Sequence, residues 1–139
     1  MQSFPKDKLT PLAARLYPSH GDWSLTIEFE PIDVQIDGQT CVFDNPFRGD
    51  GVELGTDDPR TLFGQSLEFP TNPTDGYIDG SVYFYHAHNP VDITCLSFLQ
   101  DADGGLRLGV KSKWVMSFEH PELEDFDLNF EVPLSITES

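Results

Sequence analysis

Basic side chains are scarce in this chain: eight Lys and Arg stand against 24 Asp and Glu, a formal net charge of -16 over 139 residues. An excess of that size repels nucleic-acid phosphates and anionic membrane surfaces alike. The expected partners therefore include no nucleic acid and no membrane, and a basic protein, a cation or a neutral ligand fits better. Cysteine is scarce too. Cys41 and Cys95 each sit in an apolar, strand-like run, where a thiol behaves as a small core hydrophobe, so free thiols are expected rather than a structural disulfide. No apolar run approaches the ~18 residues of a membrane span, and residues 1–8 carry charge without a signal-type apolar stretch, which predicts a cytoplasmic, unanchored protein. Neither the nucleophile elbow G-x-S-x-G nor the phosphate-binding G-x-x-x-x-G-K occurs, and no cofactor is implied.

What is present is enough to fold. Apolar residues make up 38% of the chain and include eleven Phe, more than an unfolded acidic tail carries, and the length suits one domain spanning residues 1–139. The segment 10–18 begins with a capping-type Thr10 and Pro11 and stops at Pro18, which predicts one short N-terminal helical turn. After it the chain alternates. Trp23, Leu25, Ile27 and Phe29 share one face, and Ile32, Val34 and Ile36 resume beyond Pro31 in the shifted phase of a bend. Asp37-Gly38 is a two-residue hairpin turn leading into residues 40–43. Residues 45–73, punctuated by Gly and Pro, read as loop with one or two short strands, such as Val52 to Leu54 and Ser66 to Phe69, and the order of residues 50–73 is left open.

Four further strands are expected over residues 77–88, 91–99, 106–118 and 126–136, with turns at Asn89-Pro90, Asp103-Gly104-Gly105 and Pro121. In the last two, the inward set Val110, Trp114, Met116, Phe118, Leu128, Phe130 and Val132 should join Trp23, Leu25, Ile27 and Phe29 in one core. Arg107, Lys111 and Lys113 take the opposite face, where Asp127 and Glu131 can meet them if the two strands are antiparallel neighbours. The fold class is all-β: an antiparallel β-sandwich or small open barrel of about 6–8 strands.

The candidate chemistry is sparse. His86 and His88, at i and i+2 of an expected strand, can present two imidazoles to one ion, with Asp92 as a third ligand. Gly80, His86, His88 and Asp92 resemble the first metal motif of the cupin family, which implies a β-barrel metal binder or metal-dependent enzyme with those three side chains as metal ligands. Asp92 stands where that motif has Glu, and the second motif has no counterpart here. Two same-face ligands alone give poor zinc geometry, so no tight transition-metal site is expected in the isolated protein. Asp101 to Gly105 reads as a hairpin turn rather than a calcium loop, lacking the closing Glu.

The remaining feature is charge. Glu119, Glu122, Glu124, Asp125, Asp127 and Glu131 follow one another with no Lys or Arg among them, and Asp50, Glu53, Asp57 and Asp58 form a second cluster. The leading functional expectation is a non-enzymatic acidic binding protein, of immunity or inhibitor type, engaging a basic protein partner through the first of these runs. A carbohydrate- or peptide-binding β module, using Tyr83 and Tyr85 as a platform opposite the histidines, is the remaining alternative.

Overall fold

The structure, a computed structural model, describes residues 2–137. It is nearly all β. In chain order the strands are β1 (Pro11–Ser19), β2 (Asp22–Phe29), β3 (Ile32–Ile36), β4 (Gln39–Phe43), β5 (Phe47–Val52), β6 (Ser66–Glu68), β7 (Asp79–Phe84), β8 (Ala87–Gln100), β9 (Leu106–Trp114) and β10 (Phe126–Ile136). Among the described residues, helical structure is confined to 3₁₀ turns at Lys6–Lys8, Pro59–Leu62 and Met116–Phe118.

Seven strands form a ring in the order β8-β7-β5-β2-β1-β10-β9, and β9 pairs back onto β8 to close it. The barrel is thus closed rather than open or split into a sandwich. Closure leaves its wall strands without a free edge. An odd ring cannot alternate in direction all the way round, so one junction must be parallel; it falls between β1 and β10, where Ala14 lies opposite Leu134 and Leu16 opposite Ile136. β6 extends the wall by pairing Ser66 to Glu68 with Ser97 to Cys95 of the long β8, beyond the stretch that β7 occupies.

The pleat decides what fills the ring. Leu25, Ile27 and Phe47 point inward with no exposure, as do Leu96, Phe98, Trp114 and Val132. The β3–β4 hairpin stands apart from the wall, and its Val34, Ile36 and Phe43 are buried with the barrel core. There Phe4, Phe43, Phe84 and Trp114 form an aromatic cluster with ring centroids 5.5 to 6.1 Å apart. Asp37 (φ 50°) and Gly38 (φ 78°) both take the positive φ of the expected hairpin turn. Asp101 Oδ1 accepts from the backbone N–H groups of Asp103 (3.0 Å) and Gly105 (2.8 Å), which makes the β8–β9 connection an Asp-anchored turn, as expected.

Four expectations need correction. Residues 10–18 form no helix: Ala14 and Leu16 alternate inward on β1, and pairing to both β2 and β10 overrides the helical preference of an Ala- and Leu-rich segment too short to nucleate alone. The helical turn lies earlier, at Lys6–Lys8. Phe118 is not core but 71% exposed, because β9 ends at Trp114 and the following 3₁₀ turn buries Met116 while rotating Phe118 outward. Asn89-Pro90 is not a turn but part of β8; the turn is Tyr85-His86, both at positive φ (51° and 65°). Finally, Phe47–Val52, rich in glycine, is a full barrel strand. Gly49 and Gly80 lie opposite each other across β5 and β7; a side chain at Gly49 would run into Ile93 and Ile78, and one at Gly80 into the Val91 carbonyl oxygen.

Candidate functional site

Because aromatic and branched side chains fill the ring, the barrel interior is a packed core, and recognition falls to the outer wall and the ends. The outer wall of β5, β7 and β8 is the most chemically varied surface. It is built in rows of directly opposed residues: Asp50 with Asp79, then Arg48 with Ser81 and Pro90, then Tyr83 with His88.

A bulge shapes the first row. Between β2 and β5 the register slips, so that Asp50 and Gly51 together oppose Ser24, with Gly51 at φ 69°. Ser24 Oγ donates to Asp50 Oδ1 at 2.8 Å, holding that carboxylate on the β2 side. Asp79 stands directly opposite Asp50 on β7, both exposed, and like charges in that relation are destabilising. Glu53 lies against Gly76 close by.

The other two rows enclose a cleft of about 400 Å³ lined by Asn45, Pro46, Arg48, Ser81, Tyr83 and His88. Tyr83 is 40% exposed and meets the His88 ring edge-on at 4.9 Å between centroids. Asn45 Nδ2 donates to the Tyr83 carbonyl oxygen at 3.3 Å, which ties the β4–β5 connection to β7. The Arg48 side chain makes no ion pair and no hydrogen bond among the described residues. Beneath the cleft, the fully buried Asn89 braces the β7–β8 hairpin from inside: its Nδ2 reaches the carbonyl oxygens of Val82 (3.3 Å), Phe84 (3.2 Å) and Ala87 (3.1 Å).

Comparison of the chain with protein-family models, with curated proteins and with solved structures gives no significant match.

The cupin-like set is spread out rather than gathered. His86 is in the turn, not on a strand; His88 follows on the outer wall against Tyr83; Asp92 lies farther along β8, opposite Lys113. Among the described residues, no three His, Cys, Asp or Glu side chains are grouped to share an ion. The tyrosines are also rearranged. Tyr83 shares the outer wall with His88 instead of opposing it, while Tyr85 packs on Phe84 and on the buried His120, whose Nε2 lies 3.2 Å from the Phe84 carbonyl. Cys41 and Cys95 are free thiols, partly buried.

The acidic run is largely occupied at home. Asp125 accepts from the Ser117 N–H (2.9 Å), Glu124 from the Ser3 hydroxyl (3.1 Å), and Glu122 lies 3.9 Å from His120 Nδ1. β9 and β10 are antiparallel neighbours, as expected, with Asp127 opposite Lys113 and Glu131 3.8 Å from the Arg107 guanidinium. Glu119 adds a further exposed carboxylate beside them. Basic residues on β9 thus offset this side, while Asp50, Asp79 and Glu53 have no Lys or Arg within ion-pair distance among the described residues. Arg48 escaped sequence reasoning because its strand read as loop, and Asp79, though inside the expected strand 77–88, because its position opposite Asp50 depends on a strand pairing that local pattern does not reveal; the alternation Ser81, Tyr83 was the one local sign of an outward face.

Proposed function

We propose that this domain is a non-enzymatic binding protein, of the immunity or inhibitor kind, that engages a basic protein partner through its acidic surface, with Asp50 and Asp79 as the principal contact and the Glu119, Glu122, Glu124, Asp125, Asp127 and Glu131 run, on the far side of the ring, as a second acidic surface. The observation that carries this reading is the direct opposition of Asp50 and Asp79 across β5 and β7. A like-charged cross-strand pair weakens its own sheet by up to about 1 kcal/mol, and it becomes favourable when a cationic side chain from another molecule lies between the two carboxylates. The 119–131 run, by contrast, already meets partners within the chain at Glu122, Glu124, Asp125 and Glu131.

The test is kinetic. Once the partner has been identified by chemical cross-linking, its association is measured at low and high salt with wild type, with an Asp50→Asn, Asp79→Asn variant and with a Glu122→Gln, Glu124→Gln, Asp125→Asn, Asp127→Asn variant. Electrostatic steering contributes roughly 10 to 10³ in rate, so the double variant should associate about tenfold more slowly and with a shallower salt dependence. Asn at position 50 still accepts the Ser24 bond, so stability should hold or rise by up to about 1 kcal/mol. An unchanged on-rate in the double variant removes this wall as the recognition surface.

A further inference from the structure

We propose that the cleft beside Arg48 is a binding site for a sugar carboxylate, a monoanionic hexuronate. This does not depend on the basic-partner reading, since it uses a different row of the same wall. The first consideration is charge. In a chain of net charge -16 the Arg48 guanidinium has no carboxylate within ion-pair distance among the described residues, because the acid nearest on its own strand, Asp50, is held by Ser24. Arg107, by contrast, has Glu131 at 3.8 Å. A planar guanidinium left open in a cleft matches a carboxylate in bidentate geometry.

The second consideration is what surrounds that cation. Tyr83 offers an aromatic surface for the C–H face of a pyranose ring, and its contact with His88 fixes its position. Ser81 Oγ and the Tyr83 hydroxyl are engaged in no hydrogen bond among the described residues, so both are open to sugar hydroxyls. Pro46 and Tyr83 are the only largely apolar members of the lining, too few for a fatty or purely aromatic acid. The volume, about 400 Å³, suits one monosaccharide rather than a long chain. Finally, the net charge discriminates among anions: one guanidinium offsets one carboxylate, whereas the second charge of a phosphate dianion meets the field of the surrounding acid, Asp50 and Asp79 included.

The experiment is a titration of the full ¹⁵N-labelled chain, followed by amide chemical shifts, with D-glucuronate, D-glucose and inorganic phosphate as separate probes. Glucuronate should shift the amides of Asn45, Arg48, Ser81, Tyr83 and His88 and saturate with a Kd on the order of 1 mM, as expected for so small a ligand in an open cleft. Glucose and phosphate should each bind at least tenfold more weakly. Arg48→Gln should weaken glucuronate at least tenfold, and Tyr83→Ser about fivefold, with remote amides unmoved. Phosphate binding as tightly as glucuronate would reduce the cleft to a plain anion site and overturn the proposal. So would glucose binding as tightly, an absence of saturable shifts up to about 20 mM, or an Arg48→Gln variant that binds like wild type; the first three readings need no variant to fold. The Asp50→Asn, Asp79→Asn variant should bind glucuronate as well as wild type or better, so this proposal and the basic-partner reading can fail separately.

Discussion

Replacing Asn89 by Ala removes the brace beneath the Tyr83 and His88 hairpin, and the size of the effect can be worked from its contacts. The side chain has no exposure, and its amide nitrogen lies within 3.3 Å of three backbone carbonyls, yet it carries two hydrogens, so the contacts amount to two full bonds. At about 1 kcal/mol net each, plus the cost of carbonyls left buried and a small void, the loss is roughly 3–4 kcal/mol. Against this, Asn89 Oδ1 is itself buried without a partner, and deleting it returns about 1 kcal/mol. The expected net destabilisation is therefore about 2–3 kcal/mol, read from urea unfolding followed by Trp fluorescence. Asn89→Asp sharpens the test, because it keeps the shape but turns a donor into a carboxylate facing three carbonyl oxygens. It should be less stable than Asn89→Ala at pH 7, since an unpaired buried charge costs several kcal/mol. With no donor to stabilise the anion, the folded-state pKa of that carboxyl lies above its unfolded value of about 3.9. The folded state then binds the proton more tightly, so the variant should be most stable at low pH and lose stability as pH rises above about 4. An Asn89→Ala variant within about 0.5 kcal/mol of wild type, or an Asn89→Asp variant more stable than it at neutral pH, would refute the account.

Two further substitutions probe the wall itself. Gly80→Ala should cost several kcal/mol and lower the melting temperature sharply, because a β-carbon there falls on the Val91 carbonyl oxygen, whereas Gly49→Ala meets side-chain methyls alone, Ile93 Cδ1 at 2.9 Å and Ile78 Cγ2 at 3.0 Å, and should cost about 1–2 kcal/mol; equal effects would contradict the packing described. His86→Gly should stabilise by about 0.5–1 kcal/mol in thermal melts, because His86 is exposed at φ 65°, a conformation glycine takes without strain; a loss of stability would mean that the imidazole has a structural role.

Alternation in the sequence determined which residues face inward, because a strand's pleat sends neighbours to opposite sides whatever it pairs with. That is why Trp23, Leu25, Ile27, Phe29, Val110, Trp114 and Val132 were legible as core, while Leu128 and Phe130, expected in the same core, are only partly buried and pack against it. It is also why Arg107, Lys111 and Lys113 were legible as an outer face meeting β10, and Asp37-Gly38 as a turn. Local pattern failed where pairing outweighed local preference. The Ala- and Leu-rich segment became β1 because both its edges found partners, Gly49 of β5 answered a close approach of Ile93 and Ile78 that lies far away in sequence, and Asn89 sat inside a strand because three carbonyls there accept its amide. Tertiary structure alone decided that the ring closes, that an odd number of strands forces β1 and β10 to run parallel, and that Arg48, Tyr83 and His88 share one cleft while Asp50 confronts Asp79. The physical reason is that the pleat fixes a residue's side of the sheet through its immediate neighbours, whereas its companions on that side are fixed by which strands lie adjacent and in what register, and those are set by closing the whole barrel around its aromatic core.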